Sequence, residues 1–179
     1  MQDVLDRFKS LAADFGARVD ATDDSAWDNQ SPCAEWKARD VVGHVVDNLK
    51  GLAGAGDGGS SDDLDDPKQA WATTLAATIT ALEQPGALEK VIESPMGPMP
   101  LGDMVGRLIC TDILVHTWDL ARAVGGDERL NQDAIPMAYS GLKPIDAMLR
   151  RPGIFGPKIE APAGADLQTE FLLFLGRPV

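Results

Sequence analysis

The stretch Asp112-Ile-Leu-Val-His-Thr-Trp118 decides how this chain folds. It lies inside a longer run, Leu101 to about Val124, whose apolar residues (Leu101, Met104, Val105, Leu108, Ile109, Ile113, Leu114, Val115, Trp118, Leu120) fall almost all round a helix. A helix of that kind is central and buried on most sides. Asp112 and His116 are four residues apart, about 400° of helix, so they project from one face a turn apart. An acid and an imidazole placed there are costly unless something compensates them.

The chain has only two histidines, and the second, His44, also lies on an apolar helical segment, Val41-Val-Gly-His-Val-Val46. A divalent metal ion held by Asp112 and His116, with His44 as a third ligand from another helix, would compensate the buried polar groups. The spacing alone leaves a second explanation open, in which Asp112 and His116 hydrogen-bond to each other and no ion binds. Asp119 falls on the same side of the helix. It is placed either to fix the His116 tautomer or to pair with Arg122. Asp40, Asp47 and Asn48 flank His44 at helical spacing and offer it a similar orienting bond.

Working outward, Val4, Leu5, Phe8, Leu11, Ala12, Phe15 and Val19 predict a first amphipathic helix over 3–20. Residues 21–32 are turn formers and read as a loop, with Trp27 plugging one end of the fold. A second helix is expected over 37–52, with Val41, Val42, Val45, Val46, Leu49 and Leu52 inward. Residues 51–66 read as a Gly/Ser/Asp-rich linker. Within it, Gly54-Ala-Gly-Asp-Gly-Gly59 fits a dinucleotide fingerprint by letters only. It lacks a preceding strand, and acidic residues follow it. Asp66-Pro67 caps a third helix to about 84, with Trp71, Leu75, Thr78, Ile79 and Leu82 inward. A small hairpin around 88–100 precedes the fourth helix, 101–124, which Gly125-Gly126 ends. Residues 131–150 read as a helix that Pro144 should kink or split, and 166–175 as a short closing helix. The expected architecture is all-α: a four-helix bundle with a small β-hairpin before its fourth helix and a C-terminal helical extension, one domain over 1–179.

Composition bounds the function. At 179 residues with 44% hydrophobic and 25% charged, the chain is an ordinary globular protein. A net charge of −12 repels phosphate backbones and anionic lipid, so neither nucleic acid nor membrane is an expected partner. No signal peptide is recognisable at Met1-Gln-Asp-Val-Leu-Asp, and a cytoplasmic location is expected. The two cysteines, Cys33 and Cys110, suggest no disulfide framework. Cys110 lies about 200° from Asp112 and faces away from the site, and the sequence does not place Cys33 near it or far from it. With both histidines committed, no Ser-His-Asp or Cys-His nucleophile remains.

These residues together resemble the DinB/YfiT-like superfamily of metal-binding four-helix bundles. The nearest branch is the actinobacterial one similar to the N-terminal domain of mycothiol-dependent maleylpyruvate isomerase. The matching pieces are Trp27 with Ser31-Pro-Cys-Ala-Glu-Trp36, Arg39-Asp-Val-Val-Gly-His-Val46, Ser94-Pro-Met-Gly-Pro-Met-Pro-Leu101, Leu172-Leu-Phe-Leu-Gly-Arg177 and, most specific, His116-Thr-Trp-Asp-Leu-Ala-Arg122. The resemblance implies that His44, Asp112 and His116 are the ligands of a divalent ion, zinc first and nickel second. It departs at Asp112, where the isomerase carries glutamate. It further implies a metal-dependent thiol transferase or isomerase-like enzyme working on a mycothiol-type thiol and an electrophile. The alternative is a non-catalytic metal-binding or stress-response module with a structural ion. Bundles of this kind often pair, so a homodimer is among the expectations.

Overall fold

The computed structural model describes residues 2–52, 64–94, 97–150 and 155–179. The fingerprint-like glycines 54–59 and most of the acidic linker lie outside the described residues. The chain forms two compact units, Met1–Glu128 and Arg129–Val179. No described helix is long and apolar enough to cross a membrane.

The first unit is built on four helical columns. Helix α1, Gln2–Ala21, buries Leu5, Phe8, Leu11, Ala12, Phe15 and Val19. Helix α2, Ala38–Leu52, buries Val41, Val42, Val45, Val46 and Leu49, while Leu52 is half-buried. Helix α3, Pro67–Leu82, starts as its sequence demands: Asp66 accepts a hydrogen bond from the Gln69 N–H at 2.9 Å, and proline occupies the first turn. Its inward stripe differs from the expected one. Thr74 is buried beside Trp71, Thr78 and Leu82, and Leu75 and Ile79 are only half-buried. Thr78 tolerates burial because its hydroxyl donates to the Thr74 carbonyl at 2.8 Å.

The fourth column runs from Leu101 to Val124 as expected, but it is not a uniform helix. A single α-turn, α4 (Leu101–Met104), leads into a π-helical segment, Val105–Ile109, and then into α5, Cys110–Val124. The Cys110 N–H reaches back five residues to the Val105 carbonyl. Arg7 of α1 donates to the Gly106 carbonyl at 3.2 Å, satisfying a group in the loosened turn. Gly125, in the left-handed region with φ +68°, closes α5. Strands β1 (Val91–Ile92) and β2 (Met99–Pro100) pair antiparallel just before α4, as the predicted hairpin requires. Helices α1 and α2 each pack on both α3 and α5, so the four columns form a bundle with α5 among its buried members.

The second unit is a small helical cluster. Proline 144 splits the expected helix into α6 (Ile135–Leu142), a 3₁₀ turn (Lys143–Ile145) and α7 (Asp146–Leu149). Helix α8, Leu167–Phe174, is capped by Asp166, which accepts from the Thr169 N–H at 2.8 Å. Tyr139 of α6 packs on Phe171 and Phe174 of α8, with ring centroids 5.8 and 5.2 Å apart.

Candidate metal centre

Helix α5 carries Asp112, His116 and Asp119 within a regular α-helical stretch beyond the π segment, so their sequence spacing translates directly into a shared face. Helix α2 packs against α5 and brings His44 and Asn48 opposite them. His116 and Asp119 are buried, and the latter side chain is fully excluded from solvent. His44 and Asp112 keep 33% and 25% of their side-chain surface, so the cluster is not fully closed to solvent.

The structure brings the three candidate ligands of the sequence together. The His44 Nε2 lies 3.2 Å from Asp112 Oδ1, and the His116 Nε2 lies 3.4 Å from the same oxygen. One ligand atom from each residue falls within 4.8 Å of the others. Two ligands bonded to one ion at about 2.0–2.1 Å and subtending a tetrahedral angle stand about 3.3–3.4 Å apart. The observed separations match the edges of such a polyhedron.

Asp119 Oδ2 lies 3.0 Å from His116 Nδ1, so that nitrogen donates its hydrogen to the carboxylate. A neutral His116 then turns the lone pair of Nε2 toward Asp112 Oδ1, two acceptors facing each other. Asn48 Nδ2 donates to Asp112 Oδ2 at 3.0 Å and is also 3.0 Å from His44 Nε2. A positive charge is needed where these lone pairs converge. A proton on the imidazole supplies it in one form: burial pushes His116 down, but Asp112 and Asp119 outweigh burial and hold it well above the ordinary histidine value. Burial likewise opposes charge on Asp112, and the two imidazoles overcome it to hold the carboxyl well below the usual range. A divalent cation would meet the same need with the donor set that zinc and nickel accept.

Two site residues were not placed by the sequence, Cys33 and Trp36. Both sit on the loop before α2, tied off by an antiparallel bridge between Gln30 and Lys37 and by the Ser31 N–H donating to the Trp36 carbonyl at 2.9 Å. The Trp36 ring packs over His44 and His116, with centroids 4.9 and 5.8 Å away. The Cys33 Sγ lies 3.3 Å from Asp119 Oδ2, which makes Cys33, His116 and Asp119 a second group of metal-ligating types within 4.8 Å. Cys110 is buried, and neither cysteine is in a disulfide. Arg39 pairs with Asp28 at 3.3 Å, while Arg122 pairs with Glu128 at 2.9 Å and stacks on Trp118. Asp119 is therefore the His116 partner rather than a mate for Arg122.

Comparison with known proteins gives a partial match. The family described as mycothiol maleylpyruvate isomerase N-terminal domain matches residues 8–69, a span that includes the Cys33–Trp36 loop and His44 but neither Asp112 nor His116. Two uncharacterized proteins of Mycobacterium tuberculosis, from two strains, are each 29% identical over 154 residues, 83% of this chain and 84% of theirs. No solved structure matches. The chain is thus similar, from within α1 through α2 to the first turn of α3, to a domain named for mycothiol chemistry.

Proposed function

We propose that this protein is a divalent-metal-dependent member of the DinB/YfiT-like bundles, with His44, Asp112 and His116 holding zinc, or nickel as the second choice. Its function would be to activate a small thiol of the mycothiol type toward an electrophile, as a transferase or isomerase-like enzyme. The observation that carries the proposal is the convergence of three lone-pair atoms on one point, 3.2 and 3.4 Å apart along two edges, with the far nitrogen of His116 already bonded to Asp119. When bound, the ion would lower the pKa of a coordinated thiol and so supply thiolate at neutral pH.

The chain's own residues have separable tasks. Asp119 holds the Nδ1 hydrogen of His116 and fixes the tautomer that points Nε2 inward. Asn48 donates to Asp112 Oδ2 and leaves Oδ1 toward the histidines. Trp36 covers both imidazole rings and limits water on that side. The partial exposure of His44 and Asp112 favours an accessible centre over one closed by protein on all sides, and so favours chemistry over a purely structural ion. The match to a mycothiol-named domain supports a thiol cosubstrate.

The test is to incubate metal-loaded protein with mycothiol and a broad panel of electrophiles. Thiol consumption that requires the ion and is lost in His116→Ala is the expected result. No metal-dependent consumption across the panel would overturn the enzymatic assignment and leave the structural-ion module.

A further inference from the structure

We infer that the Nδ1 side of His116 is a second cation site, exclusive with the first, that takes a thiophilic ion through Cys33 Sγ, Asp119 Oδ2 and His116 Nδ1. These atoms lie within 4.8 Å of one another, with Sγ 3.3 Å and Nδ1 3.0 Å from the shared carboxylate oxygen. For zinc-sized metal–sulfur bonds of about 2.3 Å and metal–nitrogen or –oxygen bonds of about 2.0–2.1 Å, angles of 90–109° put sulfur and oxygen about 3.1–3.6 Å apart, and the larger cadmium ion needs the three side chains to part slightly. Nitrogen and oxygen stand about 2.9–3.4 Å apart. Both observed separations fall inside those ranges. The His116 and Asp119 side chains are buried, so this is no surface cluster of acids.

Cys33 reaches the pair from a held turn rather than a free arm. The Trp36 N–H donates to the Cys33 carbonyl at 3.1 Å, the Cys33 N–H donates to Ser31 Oγ at 3.2 Å, and Gln30 Nε2 donates to the Trp36 carbonyl at 2.8 Å. Glu35 completes the turn in the left-handed region, φ +67°, a conformation that a glutamate adopts only when its surroundings impose it. The loop therefore spends conformational energy to hold Cys33 and Trp36 where they are.

One imidazole cannot serve both sites and stay neutral. With an ion on Nε2, the hydrogen sits on Nδ1 and Asp119 accepts it. With an ion on Nδ1, the hydrogen moves to Nε2, where Asp112 Oδ1 at 3.4 Å stands ready to accept it. Binding on the cysteine side releases the Cys33 thiol proton to solvent and forms a metal–sulfur bond. Ligand softness then biases the ions: the two-nitrogen, one-oxygen set suits zinc and nickel, while the thiolate set, which zinc also accepts, favours soft cations such as cadmium. Only the exclusivity rests on the metal assignment proposed above.

The experiment uses the metal-free full chain titrated with cadmium chloride, read by the ultraviolet charge-transfer absorption of a cadmium–thiolate bond. The wild type is expected to develop the band to an equimolar end point, and zinc loaded beforehand to shift that end point to higher cadmium. Cys33→Ser is expected to lose the band while still taking up zinc. His44→Ala is expected to keep the band while zinc affinity falls at least tenfold. Absence of the band in the wild type, or its survival in Cys33→Ser, would overturn the second site whatever zinc does. Failure of zinc to bind the wild type, with the cadmium band intact, would overturn the first site alone. Circular dichroism checks that each variant is folded; should Cys33→Ser not fold, Asp119→Asn must weaken the band for the site to stand.

Discussion

His116 has a partner at each ring nitrogen, Asp119 at Nδ1 and the Asp112–His44 pair at Nε2. That arrangement makes Asp119 a lever on ion affinity. Asp119→Asn keeps the shape and an acceptor but removes the charge, and zinc affinity in a chelator-competition titration should fall by about 10- to 100-fold. The proton and the ion also compete for the same lone pair, which fixes a pH dependence. The carboxyl of Asp112 is depressed, so its contribution to stability is present above the ordinary carboxylate pKa and is lost as pH falls through the depressed value. The imidazole of His116 is raised, so its contribution is full below the ordinary histidine pKa and is lost as pH rises through the raised value. In metal-free protein the stability difference between wild type and His116→Ala should therefore be largest at roughly pH 4–6.5 and shrink at alkaline pH. Zinc should restore the alkaline side, because it binds the deprotonated ring. Urea midpoints against pH, with and without zinc, check both limbs. The shared face of Asp112, His116 and Asp119 was legible because all three lie on one unbroken stretch of helix, whereas the choice of His116 over Arg122 as the Asp119 partner needed the fold. Cys33 and Trp36 were not, because a turn brings them to the site and no periodicity encodes a turn's tertiary direction.

At the level of elements, local chemistry set the boundaries. Asp66→Ala should cost about 1 kcal/mol in urea denaturation through loss of the α3 cap. Gly16 lets Trp71 sit against α1: a Cβ at that position would stand 2.9 Å from the indole nitrogen. Gly16→Ala should cost about 1–3 kcal/mol by the same measurement, as overpacking does in a filled core. The helices of the first unit and the hairpin follow from hydrophobic spacing, caps and prolines. What spacing missed has a physical reason. The apolar pattern over 101–124 is nearly continuous, so it registers burial but not phase, and a π segment at Val105–Ile109 leaves no mark in it. The α3 stripe includes Thr74, which a count of apolar residues passes over, while Thr78 is inward as expected and returns its hydroxyl to the helix backbone.

For the whole molecule, the order of helices, the hairpin before the fourth column and the break at Pro144 were legible from the sequence. The division into Met1–Glu128 and Arg129–Val179 follows contacts that no local pattern announces. The metal proposal has a global consequence as well. An ion that binds the folded chain and not the unfolded one stabilises it by about 4 kcal/mol at a free concentration a thousandfold above Kd. Saturating zinc should accordingly raise the unfolding temperature, and a chelator should reverse the rise. Elemental analysis and zinc titration of protein purified without a metal-affinity tag decide whether His44, Asp112 and His116 hold an ion. The account predicts equimolar zinc or nickel, or equimolar uptake by the metal-free chain, abolished in His116→Ala. A wild-type chain that carries substoichiometric metal and takes up none on titration would contradict it.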